Sequence, residues 1–226
     1  MNPRPVDDCA GCASCGLFAA LGPAERIRLE QFHLVRECRR GQVLFYQGEE
    51  LPHLIGIQQG FVKLLKTDSL GREIVIRFLG PGDVAGFRPL LAGEPSAAAA
   101  ECVTPARLCL VPRALFLEFA TDCRPFARLL LGKLARELRE SEERWLSQTR
   151  ESAEQRVIRF LAQLAHRHVE AGGVRVEIPK LEIARAADVT PSTLSRILGR
   201  LSRRGLLTVE SRALTLLPAL SRPSLP

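Results

Sequence analysis

The sequence predicts an α+β chain: an amino-terminal antiparallel β-roll, one long helix, and a carboxy-terminal winged helix–turn–helix. Three features point there. Short apolar runs cut by turn signals fill residues 41–112. Apolar residues then recur in heptad spacing between Ala127 and Trp145. Residues 181–207 place a capped amphipathic helix directly after a shorter helix and a turn. The 226 residues suffice for two modest cores. The expected division is a cysteine-rich segment 1–20, a roll 21–124, a long helix 125–150 and a helical domain 151–226.

The first segment holds Cys9, Cys12 and Cys15 in the run DDCAGCASCG. Turns this short can aim several thiolates at one point, as an iron–sulfur cluster or a zinc ion requires. A disulfide between such neighbours would close a tiny loop and constrain little of the unfolded chain. The run is one ligand short of four, so a four-cysteine site needs a distant partner. Residues 21–35 (LGPAERIRLEQFHLV) then show helical spacing, with apolar side chains at Ile27, Leu29, Phe32 and Val35. Pro23 suits a first helical turn, where its missing N–H costs little.

The roll is expected from the runs VLF, LIGI, FVKLL, IVIRFL and RLCLV. Turn signals separate them at Gly48-Glu49, Gln59-Gly60, Asp68 to Gly71, and Pro81-Gly82-Asp83. Strands this closely spaced suit an antiparallel sandwich or roll and leave no room for the crossover helices of a parallel sheet.

In the long helix, Ala127, Leu131, Leu134, Leu138, Ser141 and Trp145 form a heptad seam with charged residues between them. Such a seam can pack on its own domain. Its length and polar flanks favour a contact with a second copy through Leu131, Leu134, Leu138 and Trp145, with Ser141 the weak point. Beyond Glu151, Val157, Phe160, Leu161 and Leu164 make another apolar stripe, on a helix expected to stop before Gly172-Gly173. VRVEI (174–178) reads as a short strand.

The segment LEIARAADVTPSTLSRILGRLSRRGLL (181–207) is the most specific. A short helix leads to Asp188, a residue that tolerates left-handed backbone. Thr190 is a suitable N-cap, Pro191 a first helical residue and Gly205 a stop. Leu194, Ile197, Leu198 and Leu201 bury one face; Ser192, Thr193, Ser195, Arg196, Arg200, Arg203 and Arg204 line the other. Short hydroxyls let a helix approach a major groove closely, and Arg can reach guanine O6 and N7 together. Downstream arginines suit phosphates. Candidate DNA contacts are therefore Thr190, Ser192, Thr193, Ser195, Arg196 and Arg200. LLTVESRALTLL (206–217) reads as a two-stranded wing. A basic helix face can also be merely solvated; the turn, caps and wing together favour DNA.

Composition agrees with a polyanionic partner: Lys plus Arg number 32 against 25 Asp plus Glu, a formal +7. No window of about 18 apolar residues predicts a membrane span. MNPRPVDD lacks the apolar core of a secretory signal, so a cytoplasmic protein with reduced cysteines is expected. Seven cysteines then favour metal or redox chemistry over a disulfide scaffold. An enzyme is not expected. A thiol oxidoreductase using Cys9 and Cys12 would need a thioredoxin-like βαβ context, and the four histidines form no base–nucleophile pair.

The ordered segments GQVLFYQGEE, IGIQQGFVKLLKTDSLGREIVIRFLGPGDVAGF and TPSTLSRILGRL resemble the CRP/FNR superfamily of bacterial transcription regulators, over nearly the whole chain. The resemblance implies a sensor roll of the cyclic-nucleotide-binding type, a dimerisation helix and a winged helix–turn–helix. Its implied partners are a palindromic operator in double-stranded DNA, RNA polymerase and a second copy of the chain. In the cyclic-AMP branch an Arg meets the phosphate; here GDVAGFRPLLAGEPSAAAAECV has no Arg after Ser96, and Arg88 lies too early. A buried phosphodiester would lack its cationic partner.

The FNR-type branch is similar in its cysteines. That likeness implies a [4Fe-4S] cluster on Cys9, Cys12, Cys15 and Cys109, with Cys102 as reserve fourth ligand, answering to oxygen or nitric oxide. Haem, zinc or a small effector in the roll are the alternatives. Cys38 and Cys123 are expected to be packing residues. The chain departs from the branch twice. Its third cysteine follows the second more closely, and Ser192 stands where the family's recognition helix carries Glu. Ser195 and Arg196 match. A serine does not replace a carboxylate that accepts from a cytosine amino group, so the usual TTGAT-type half-site is not expected unchanged.

Overall fold

The structure, a computed structural model, describes residues 16–147, 151–166, 174–210, 213–217 and 220. The chain divides into two compact units, with the change at Trp145 and Leu146.

The first unit opens with a 3₁₀ turn, Phe18–Ala20, and helix α1, Pro23–Phe32. Eight strands follow: β1 (Leu34–Cys38), β2 (Val43–Phe45), β3 (His53–Gln59), β4 (Val62–Thr67), β5 (Glu73–Leu79), β6 (Val84–Ala85), β7 (Ala99–Cys102) and β8 (Ala106–Pro112). They form two four-stranded sheets, ordered β1-β8-β3-β6 and β2-β7-β4-β5. Helix α2 (Phe87–Ala92) interrupts them, and α3 (Arg113–Asp122) leads into the long helix α4 (Arg124–Ser147). Both sheets feed one core, with Leu54, Ile57, Leu108 and Val111 from the first, and Phe45, Val62, Ala100 and Cys102 from the second. All the apolar runs of the sequence fall on strands.

Gly60 shows why the β3–β4 turn needs glycine. Its φ is +82°, and an added Cβ would fall on the Pro105 carbonyl oxygen and 2.8 Å from Ala106 Cα. The neighbouring strand's own backbone closes that space.

The helix expected over 21–35 is shorter. It stops at Phe32, and Val35 belongs to β1, opposite Cys109 of β8. Only Leu29 of α1 is buried; Ile27 and Phe32 are exposed. The long-range ladder with β8 takes residues that helical spacing alone would have kept. Strands β1 and β7 and helices α2 and α3 are additions to the reading from sequence.

The heptad seam of α4 is divided between two surroundings. Phe126 and Leu130 enter the core and Leu134 packs against it, whereas Leu131 and Leu138 are 66% and 62% exposed. Trp145 falls on α4, and its side chain lies outside the described part. Glu137, on the inner side, is buried and fully engaged. Arg77 of β5 pairs with it, Lys133 lies 3.6 Å away and Arg88 3.7 Å away. Arg77 also reaches Glu140 at 2.9 Å, and the Lys133 ammonium sits 5.5 Å over the Phe87 ring. This network ties α4 to β5 and α2.

The second unit holds α5 (Ala153–His166), β9 (Val174–Val176), α6 (Lys180–Ala186), α7 (Pro191–Arg203), β10 (Leu207–Val209) and β11 (Leu214–Leu216). Val157, Leu161 and Leu164 of α5 are buried, with Phe160 at the margin. The wing strands pair antiparallel as expected, and β9 joins β11 as a third strand through Val176↔Leu214 and Val174↔Leu216. The expected stop at Gly172-Gly173 lies outside the described residues. Among the described residues no helix is long and apolar enough to cross a membrane.

Candidate nucleic-acid interface and cysteine site

The turn between α6 and α7 is built from local chemistry. Asp188 adopts φ +50°, the single positive-φ residue other than glycine among those described. Thr190 is extended, and its hydroxyl accepts from the Thr193 N–H at 3.2 Å and donates to Thr193 Oγ1 at 2.9 Å. Its side chain is thus committed to the cap. Pro191 opens the helix, and Gly205 at φ +68° ends it. Leu194, Ile197, Leu198 and Leu201 are buried, so α7 is fixed by its apolar face against the rest of the unit.

The opposite face divides into two lines at about 100° per residue. Ser192, Arg196, Gly199 and Arg203 share one line. Ser192, Ser195 and Arg196 are exposed, and the Ser195 hydroxyl donates to the Pro191 carbonyl at 3.0 Å. Arg196 makes no hydrogen bond or ion pair among the described residues. Arg200 and Arg204 lie on the flank nearer α5. Both Nε and Nη2 of Arg200 donate to Glu154 Oε2, at 3.0 and 2.8 Å, and Arg204 Nη1 reaches Glu154 Oε1 at 3.1 Å. The structure therefore separates Arg196 from Arg200, two residues grouped together from sequence.

Two residues that matter here carry no signal of their own in the sequence. Glu154 is one. Arg156 is the other: its guanidinium donates to the carbonyls of Ala187 at 2.9 Å, Asp188 at 2.8 Å and Glu151 at 3.1 Å. It pins the turn before α7 to the start of α5. What the sequence does show is Ser152-x-x-Gln155. Ser152 N–H donates to Gln155 Oε1 at 2.8 Å and Gln155 N–H to Ser152 Oγ at 3.3 Å, a reciprocal cap that marks where α5 begins.

Cys9, Cys12 and Cys15 lie outside the described residues. Cys109 is fully buried at the middle of its sheet, between Val35 of β1 and Gly56 of β3. Cys102 is also fully buried, and its thiol meets that of Cys38. Burial, followed by the neighbouring Cys38, pushes the Cys102 thiol up to about 12. Cys38 and Cys123 are buried packing thiols as expected. Among the described residues no three metal-ligating side chains converge.

The chain that follows the cysteine trio is firmly anchored. Phe18 is fully buried, its ring stacked on Phe126 of α4 at 5.9 Å. Phe116 and Phe119 of α3 meet Phe126 edge-on at 6.1 and 5.8 Å. Helix α1 then packs on β8, the strand that carries Cys109.

Residues 35–123 match the cyclic nucleotide-binding domain family, and residues 155–220 match the Crp-like helix-turn-helix domain family. The chain belongs to the CRP/FNR superfamily. This CRP/FNR regulator is 25% identical over 215 residues to the fumarate and nitrate reduction regulatory protein of Vibrio cholerae, covering 93% of this chain and 85% of the relative. It is 27% identical over 186 residues to the anaerobic regulatory protein of Aggregatibacter actinomycetemcomitans, covering 80% of this chain and 72% of the relative. Among solved structures, FixK2 from Bradyrhizobium japonicum superimposes with a TM-score of 0.71 at 28% identity, over 81% of this chain and 92% of FixK2. The CRP/FNR regulator thus carries its helix–turn–helix on the second unit and a cyclic nucleotide-binding-type roll on the first.

Proposed function

We propose that this transcription regulator grips a palindromic operator as a homodimer, and that a [4Fe-4S] cluster held by Cys9, Cys12, Cys15 and Cys109 governs the grip. The single observation that carries the coupling is the Phe18–Phe126 stack. It joins the chain three residues past Cys15 to the beginning of the long helix.

The donor set fits such a cluster. Thiolates are its ordinary ligands, and Cys109 is a thiol shielded from solvent on the strand that α1 covers. Cys102 faces Cys38 and is the poorer fourth ligand. When bound, the cluster supplies a link that oxygen or nitric oxide destroys. The chain's own residues do the rest: Phe18 seats the incoming segment on α4, and the Glu137 network fixes α4 to the roll.

On the DNA side, α7 enters the major groove. Arg196 takes guanine O6 and N7, while Ser192, Thr193 and Ser195 allow close approach. Two copies meet through Leu131, Leu134, Leu138 and Trp145, which sets half-sites about one DNA turn apart. RNA polymerase is the partner that bound protein meets beside the operator.

The roll itself favours no cyclic nucleotide. Ser96 is buried, with its hydroxyl donating to the Ala98 carbonyl at 2.7 Å, and Arg88 is turned to Glu137. No guanidinium is placed for a phosphodiester there.

Anaerobic reconstitution with iron and sulfide tests the reading. The expected product is brown, holds about four iron and four sulfide per chain, and loses colour and operator affinity in air. A colourless, iron-free product overturns the cluster; a zinc or haem content would name the alternative. The DNA titration run alongside decides the DNA reading separately.

A further inference from the structure

We propose that Glu154 acts as an internal stand-in for a backbone phosphate, holding Arg200 and Arg204 until duplex DNA displaces it. Both oxygens of this carboxylate are occupied by the two guanidiniums of α7, at 2.8 to 3.1 Å. These are the distances a phosphate oxygen would take. The inference rests on the DNA-binding reading above and adds a limit to it.

The geometry gives the reason. Arg200 stands about 40° around α7 from Arg196, close enough to the groove-facing line for a long side chain to turn either way. All three partners are surface groups: Arg200 and Arg204 are each 46% exposed and Glu154 29%. An ion pair this exposed contributes little to stability, and a rival anion can break it. Glu154 itself is placed with care. It lies in the first turn of α5, where the reciprocal Ser152–Gln155 cap fixes the helix start and the helix dipole favours a carboxylate. Arg156, two residues on, ties the same turn to the backbone ahead of α7. The carboxylate is therefore held rigidly beside mobile arginines.

Two consequences separate this role from a merely structural one. Removing the carboxylate should strengthen DNA binding, whereas loss of a structural ion pair should weaken it or leave it alone. The two released arginines should also add phosphate contacts, each steepening the dependence of log affinity on log salt by about 0.9.

The test titrates full-length protein against a labelled duplex of arbitrary sequence at several salt concentrations. Four forms are compared: the parent, Glu154→Gln, Arg200→Gln with Arg204→Gln, and all three changes together. E154Q should bind about threefold to tenfold tighter at low salt, with a slope steeper by roughly one to two. That gain should vanish in the triple variant. Unchanged or weaker binding by E154Q with an unchanged circular dichroism spectrum overturns the proposal. A gain that persists without the two arginines also overturns it, because the carboxylate would then act by general repulsion. Should E154Q fail to fold, Glu154→Asp keeps the charge on a shorter arm; about half the effect is expected, and none would overturn the proposal. A parent protein that binds no duplex at any salt overturns the DNA reading instead.

Discussion

Arg196 and Phe18 sit at opposite ends of the chain, and each is a single side chain with a measurable assignment. Arg196 is exposed on the groove-facing line of α7. Arg196→Ala should cost roughly 1–3 kcal/mol on an operator and relax preference at one base position. Anisotropy titrations against singly substituted operators check this; equal weakening on every sequence would make Arg196 a phosphate contact. Phe18 is fully buried in a cluster of four phenylalanine rings. Phe18→Ala should destabilise the first unit by about 3–5 kcal/mol through lost burial and the cavity left behind, read as a lower urea midpoint with an unchanged slope. His53 responds to pH. Burial lowers its folded pKa below the ordinary 6.5, so the unfolded chain binds the proton first. Its contribution is full above 6.5 and is lost as pH falls through the depressed folded value. His53→Gln should flatten that part of a stability-against-pH curve measured between pH 7 and 5.

Helix α4 shows what an element adds beyond its residues. One side carries Phe126, Leu130 and Glu137 inward; another presents Leu131 and Leu138 to solvent. Leu131→Glu with Leu138→Glu should leave the helical content unchanged and convert the dimer to monomer by analytical ultracentrifugation. A variant that still sediments as a dimer would place the contact elsewhere. Helix α7 was legible because its signals are local: Thr190, Pro191, Gly205 and the apolar spacing all act within a few residues. Strand β1 was not, since residues 34–38 owe their state to β8, some seventy positions away (Leu34↔Leu110). The Glu154 clasp stayed hidden for the same reason, its partners being 46 and 50 residues on. A heptad pattern likewise states which side chains line up along a helix but not which of them its own domain has already covered. Only packing divides Leu130 from Leu131.

At the scale of the whole molecule, the chain joins a roll that lacks a guanidinium for a nucleotide phosphate to a helix–turn–helix whose arginines are partly engaged. The trigger must then come from outside the roll's usual pocket, and the cysteine run is the available source. Cys12→Ser should abolish iron retention after reconstitution while leaving the thermal melt of the unloaded protein unchanged. A variant that keeps a full iron complement would remove Cys12 from the ligand set. Order along the sequence made this organisation readable: cysteines, roll, long helix, wing. What it left unread is the route between the first and the third, because an aromatic stack between Phe18 and Phe126 leaves no pattern in either segment.

That stack has a mechanical consequence. Phe126 lies near one end of a helix that continues to Ser147, a rigid rod of roughly 31 Å at about 1.5 Å per residue. Tilting such a lever by about 5° at its seated end swings its tip by about 3 Å. A displacement of that size is enough to bring opposing leucines of two rods into register or to part them, so a ring nudged by less than its own thickness could set whether the pair closes.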